Sequence, residues 1–406
     1  MLIRAGALIE STNRVHRPGH LRMEKGKIIA VGSNLEPLPG EEILSFPEIT
    51  LAPGWINLHA HLELSALSGV LQKGNTFSGW LKELLPLLPT LTPEVRRRSI
   101  LDATRDAARS GTTSILSILT QRTALAGLPS TPTRVWWALE FSDLRGNPKG
   151  AEIVDQATSW ISRHPNADWH LALSPHAPYT ASPALYQELS ALASQNHLPF
   201  TTHLAESVDE TEFFANQKSS LRHLLPTDLN RPDLLPSQSP AEWCQKNSIL
   251  PPGSILAHGN EFSLNDMPYL KERSATIVHC PTTHQWFERK PFPFTAYQSH
   301  PIPIALGTDS PACSPNSHFD LRLEARTFLE SQPSSNPKSV WEMLTTIPAR
   351  ALGQGKTLGA LKADCWADWV GWRTPLGQDP FTSILQSTEP AEMTCISGKI
   401  IFHERI

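Results

Sequence analysis

His59 and His61 stand two residues apart in the apolar run "INLHAHLELS". Residues i and i+2 of a strand point to the same face. Two imidazoles side by side fill a core poorly unless something binds them. Other histidines and acids recur in similar settings: His176 in "SPHAPYT", His203 and Glu206 in "THLAES", His258 in "LAHGN", His279 in "VHCPTT" and Asp309 in "LGTDSP". Histidines with one carboxylate suit a borderline divalent ion, Zn2+ first and Fe2+ next, with one position open to water. We therefore assign His59, His61, His203 and Asp309 as ligands of one such ion. Glu206, three residues past His203, is placed to shuttle protons without being a ligand. Its competing reading is an acid favoured by a helix N-terminus. Asp309 alone reads equally well as an N-cap; beside three histidines the ligand role wins.

These groups need a scaffold that brings distant stretches together. Nearly all of them close an apolar, strand-like run. Eight such runs occur: "GWINLHAHLE", "GTTSILSI", "TRVWWALEF", "WHLALSPHAPY", "LPFTTHLAES", "GSILAHGN", "ATIVHCPTT" and "IPIALGTDS". Helical patterns separate several of them. "TPEVRRRSILDATRDAARSG" starts at a Thr cap and ends at Gly111. Eight strand–helix units in this length match a (β/α)8 TIM-type barrel, whose strand C-termini all open on one face. The first fifty residues read as short strands, with a hairpin turning at Lys25-Gly26 in "HLRMEKGKIIAVGS". The last forty return to short strands. We expect a barrel over residues 51–355 and a small composite β domain built from 1–50 and 356–406.

Bulk properties remove several functions. The 406 residues carry 35 basic and 39 acidic side chains, a net charge of −4, with no basic run. Nucleic acid and anionic membranes are therefore not expected as partners. No signal peptide and no membrane span are indicated. The five cysteines, Cys244, Cys280, Cys313, Cys365 and Cys395, are scattered and lack a C-x-x-C pair. A disulfide framework is not expected, and a reducing cytoplasm fits better. The expected partner is a small-molecule substrate, and a homodimer is compatible with the chain.

Taken together, "PGWINLHAHLELSALSG", "SPHAPYT", "THLAES", "LAHGN", "VHCPTTH" and "ALGTDSPAC" resemble the motif series of the amidohydrolase superfamily. They are most similar to its mononuclear aminohydrolase branch, which includes adenosine-type and S-adenosylhomocysteine deaminases and triazine chlorohydrolases. The resemblance puts the branch's metal ligands on His59, His61, His203 and Asp309. It implies that Asp309 takes a proton from a metal-activated water and that His258 orients this nucleophile. It further implies that Glu206 protonates a ring nitrogen beside the attacked carbon, and that His176 contacts substrate. A structural role competes for His176, and His279 reads as structural. The binuclear branch usually bridges two metals with a carboxylated lysine at the end of strand four; "WHLALSPHAPYT" has none, which points to one metal. The absence of a P-C-x-x-C motif disfavours the other zinc deaminase family.

For the substrate, "HCPTTHQWFERKPFPF" and "FSGW" look closest to the aminodeoxyfutalosine deaminase-like group. His284 departs from the asparagine many relatives carry there. Trp80, Trp286 and Phe287 are candidates to line an aromatic pocket, with core packing the competing reading. Arg289 reads as a surface charge, with a carboxylate partner as the alternative. The proline-rich stretch 216–243 is either a lid or a surface excursion. The resulting expectation is hydrolytic deamination of an aminopurine nucleoside, with aminodeoxyfutalosine first and adenosine or S-adenosylhomocysteine next. The alternatives are dechlorination or another hydrolysis of a related aromatic ring, or an inactive metal-holding barrel that serves as an interaction protein.

Overall fold

Apolar runs that are buried on both faces read as parallel strands under helices, and this is how the middle of the chain is built. The computed structural model describes residues 1–73, 76–143, 150–163, 170–216, 219–225, 238–314, 318–375 and 377–403. One four-stranded sheet holds β1 (Trp55–Ala60), β2 (Thr112–Leu119), β3 (Arg134–Phe141) and β4 (His170–Pro175). A second holds β5 (Thr201–Leu204), β6 (Ile255–His258), β7 (Thr276–His279) and β8 (Ile304–Leu306). All neighbours within the two sheets pair in parallel.

The two sheets meet along two seams. Leu173 of β4 pairs with Phe200, and Ala60 of β1 pairs with Asp309, each as a parallel bridge. Side chains from both sheets share one buried cluster, including Ile56, Leu116, Trp136, Ala172, Ile255 and Val278. The opposite faces pack on helices. The helix Pro93–Arg109 starts where the Thr92 hydroxyl accepts the Val95 N–H. It buries Ile100, Ala103 and Ala107. It stops just before Gly111, whose φ of 87° continues no helix.

Both ends of the chain join in one mixed sheet of eight strands. Leu2–Ser11 pairs in parallel with Ile43–Pro53, which pairs antiparallel with Trp369–Arg373 from the far end of the sequence. The hairpin of Gly19–Glu24 and Lys27–Gly32 turns at Lys25 and Gly26, with φ of 50° and 78°. Two consecutive positive φ values define the tight turn that matches strand twist. All five cysteines are buried and unpaired. Among the described residues, no helix is long and apolar enough to cross a membrane. Of the stretch 216–243, residues 217–218 and 226–237 lie outside the described residues, so the lid reading largely falls there. The described parts are a short turn, Ser220–Leu224, and the helix Pro240–Asn247.

Candidate metal centre and active site

The strands deliver their polar groups at, or just beyond, their C-terminal ends. β1 stops at Ala60, one residue before His61, and β8 stops three residues before Asp309. The β1–β2 register shifts between Asn57 and Ala60, an irregularity of the kind that re-aims side chains near active sites. Backbone bonds then stitch the first and last ligands together. The Thr308 and Asp309 N–H groups donate to the His59 carbonyl at 3.1 and 3.0 Å, and His61 N–H donates to the Asp309 carbonyl at 3.2 Å.

All four proposed ligands converge. His59 Nε2 and His61 Nε2 lie 3.4 and 3.5 Å from Asp309 Oδ1. His203 Nε2 lies 3.3 Å from His61 Nε2. Donor atoms of His59, His61 and Asp309 are all within 4.8 Å of one another, as are those of His59, His203 and His258. His59 is fully buried, and among the described residues neither ring nitrogen has a hydrogen-bond partner. Such a buried imidazole is costly unless something else satisfies it. His203 Nδ1 lies 3.0 Å from the His176 carbonyl, so it is the protonated nitrogen and donates there. This fixes the tautomer that turns the Nε2 lone pair toward the cluster. Burial, with His59 and His176 nearby, pushes His203 down to about 3, so it is the neutral ring a metal requires. The donor set fits a divalent metal ion.

Glu206 and His258 sit beside this cluster. Glu206 Oε1 is 3.8 Å from His258 Nε2 and 3.2 Å from Arg289 Nη2. Arg289 also donates to the Glu206 carbonyl. Burial pushes the Glu206 carboxyl well above its ordinary range, against the opposing pull of Arg289. The surrounding loop is pinned by Glu210, whose carboxylate accepts the N–H groups of Ala205 and Glu206 at 3.2 and 2.8 Å. Glu206 is thus held at its backbone by Glu210 and at its carboxylate by Arg289.

The other candidates divide. The His176 ring contacts the Thr180 hydroxyl at 2.6 Å and lines the cavity above the ligands. Trp80 lines the same cavity while its indole N–H donates to the Ala312 carbonyl at 3.3 Å. It is therefore both core and wall. Its ring packs on Phe77 and Phe287, which joins the "FSGW" and "WFERK" stretches at one place. His279 stacks on Phe292 with ring centroids 3.8 Å apart, a packing role. His284 contacts the Asn260 side chain at 3.1 Å and the Lys290 carbonyl at 2.7 Å.

Arg289 corrects the sequence reading. It is not a surface charge: its side chain is 7% exposed, lies over the Phe287 and Phe77 rings and pairs with Glu206. Two further groups join the site without a strong sequence signal. Cys313 donates its S–H to Asp309 Oδ2 at 3.3 Å. Glu140, near the end of β3, groups with His176 and His203, with donor atoms within 4.8 Å of one another. A lone acid in "RVWWALEF" was the available signal, because an unpaired glutamate is rare inside a buried strand.

Residues 50–401 match the amidohydrolase family, and the chain belongs to it. It is accordingly a hydrolase acting on carbon–nitrogen bonds. It is 25% identical over 415 residues to a 5-methylthioadenosine/S-adenosylhomocysteine deaminase of Nitratidesulfovibrio vulgaris, covering 97% of this chain and 89% of the relative. In fold it is similar to an aminofutalosine deaminase of Helicobacter pylori solved with methylthio-coformycin (TM-score 0.86, 20% identity, 99% of this chain and all of that one). It is also similar to an atrazine chlorohydrolase of Arthrobacter aurescens complexed with zinc (TM-score 0.84, 19% identity, 99% and 95%).

Proposed function

We propose that this protein is a mononuclear, zinc-dependent deaminase of aminopurine nucleosides, with its eight parallel strands closed as a (β/α)8 barrel. One observation carries the reading. A buried acid, Glu206, sits beside the ligand cluster and lines the same cavity as His61, His203 and Asp309. A purely structural metal site has no use for such an acid.

The proposed holders of the metal are His59, His61, His203 and Asp309. When bound, a divalent ion makes water nucleophilic at neutral pH by lowering its pKa from ~15.7 to about 7. The chain's own groups manage the protons. Glu206, pushed toward its protonated form by burial, donates to the ring nitrogen beside the attacked carbon, so that negative charge does not accumulate there. Asp309 takes the proton of the incoming water, and His258 orients that water. A proton then passes to the exocyclic amino group and ammonia leaves. The side chain of His176 contacts the ring, and Trp80 walls the cavity. The names of the relatives support a nucleoside substrate: adenosine, 5′-deoxyadenosine, 5-methylthioadenosine, S-adenosylhomocysteine and aminodeoxyfutalosine form the natural panel.

The test is ammonia release from that panel, with a chlorinated triazine alongside, together with elemental analysis of the purified protein. Ammonia from at least one nucleoside and one tightly held ion per chain are expected. Chloride release alone would replace the deaminase reading with dechlorination, and two tightly held ions would overturn the mononuclear site.

A further inference from the structure

The cavity over the ligands adjoins a second one. They share His61, Leu64, Leu81, Leu84 and His176, so the second space lies directly beside the ligand cluster. Its walls are largely leucine, with Leu85, Leu88, Leu221 and Leu225 among them. One acid interrupts them. Glu140 Oε2 accepts a hydrogen bond from the Thr120 hydroxyl at 2.9 Å, while Oε1 is buried without a hydrogen-bond partner among the described residues. A buried carboxylate oxygen left unmatched is costly, and no step of the proposed deamination uses it. Among the described residues that line the second cavity, none is lysine or arginine.

We propose that Glu140 is a substrate-binding residue that accepts hydrogen bonds from the sugar hydroxyls of the nucleoside. The leucine-lined cavity beyond it takes an uncharged, apolar substituent on that sugar. A carboxylate is an acceptor only, and adjacent sugar hydroxyls supply the donors it lacks. Its place fits this role, one step outward from His176 and His203, where the sugar lies if the base is at the metal. A substituent bearing its own carboxylate would be buried near Glu140 among leucines and is disfavoured. The inference rests on the nucleoside deaminase reading and refines its specificity.

The experiment measures kcat/KM for adenosine, 2′,3′-dideoxyadenosine, 5-methylthioadenosine and aminodeoxyfutalosine, in the wild type, Glu140→Gln and Glu140→Leu, with metal content read in parallel. A hydrogen bond to a charged group is worth about 1.5–3 kcal/mol. The wild type should therefore favour adenosine over its dideoxy analogue by on the order of 10- to 100-fold, chiefly in KM. Glu140→Leu should lower that ratio to about threefold or less, and Glu140→Gln should fall between. Metal content should not change, and the methylthio substrate should exceed aminodeoxyfutalosine, whose benzoate makes it the carboxylate-bearing substrate, by tenfold or more in the wild type. An unchanged hydroxyl preference in Glu140→Leu, with turnover retained, overturns the sugar contact while the deaminase reading stands. Equal or better turnover of the carboxylate-bearing substrate overturns the apolar cavity. Loss of metal in both variants overturns the inference by making Glu140 a ligand. No turnover of any nucleoside by the wild type refutes the deaminase reading itself, and this inference with it.

Discussion

Gly307→Ala offers a quantitative check on the ligand geometry. Gly307 precedes the Thr308-Asp309 pair where β8 passes β1. A Cβ placed there would meet the His59 carbonyl oxygen at 2.8 Å, His59 Cβ at 2.9 Å and Val278 Cγ1 at 2.9 Å. Neither His59 atom is the far end of a flexible side chain, and the same carbonyl already accepts two backbone bonds from Thr308 and Asp309. Ordinary contact begins at 3.4 Å, so the strands must part by the difference, roughly 0.6 Å. Overpacking of this kind costs about 1–3 kcal/mol, and a functional constellation tolerates displacements of only about 0.5 Å. The variant should lose a few degrees of Tm and bind its metal at least tenfold more weakly, about the size of a disturbed supporting contact. Competition with a chromophoric chelator measures the second effect. Gly32→Ala serves as the control, because its nearest atom lies at 3.6 Å and its Tm should barely move. Wild-type Tm and metal affinity in Gly307→Ala would refute the placement of His59 against β8, and with it the ligand assignment.

Two further outcomes follow from buried charge. Arg289→Met leaves Glu206 without the counter-charge at 3.2 Å. Breaking a buried pair costs up to about 3–5 kcal/mol, softened here because Glu206 can stay protonated; kcat should fall tenfold or more and Arg289→Lys should restore part, whereas wild-type kcat in Arg289→Met would show the pair to be idle. Glu324, whose carboxylate accepts the Thr282 N–H at 2.9 Å and the Thr282 hydroxyl, is pushed by burial from 4.5 up to about 8. Its stability contribution is full below about pH 4.5 and is lost as pH rises through 8. The Tm of Glu324→Gln relative to wild type should therefore climb between pH 5 and 8, and a constant difference across that window would sink the argument.

The sequence was most readable where chemistry and periodicity coincide. His59, His61, His203 and Asp309 could be picked out because polar residues ending apolar strands are unusual, and the structure brings all four together. The hairpin at Lys25-Gly26 and the helix after Thr92 were equally plain, because local rules of turn and cap decide them. Arg289 was misread for the opposite reason. In "FERKP" it sits among charges and looks solvated, and only packing against Phe77, more than two hundred residues away, removes it from water. Glu140 is masked in the sequence by the tryptophans and leucine around it, which dominate the strand pattern. Cys313 could not be linked to Asp309 without knowing how the turn after β8 closes.

The site's motifs mix residues that do chemistry with residues that hold backbone. Ala205, His258 and Asp309 all have positive φ, at 52°, 75° and 55°. Each such non-glycine conformation costs of order 1–3 kcal/mol and persists only where the surroundings over-determine it. They do so here. Asp309 is tied to β1 through both its N–H and its carbonyl, and the Ala205 carbonyl accepts from Glu261 while its N–H donates to Glu210. The His176 carbonyl accepts from the His203 N–H, the His203 ring and the Thr202 hydroxyl. Any residue at 176 presents that carbonyl, so the imidazole is not needed to aim His203. The ring itself meets the Thr180 hydroxyl at 2.6 Å and faces the cavity.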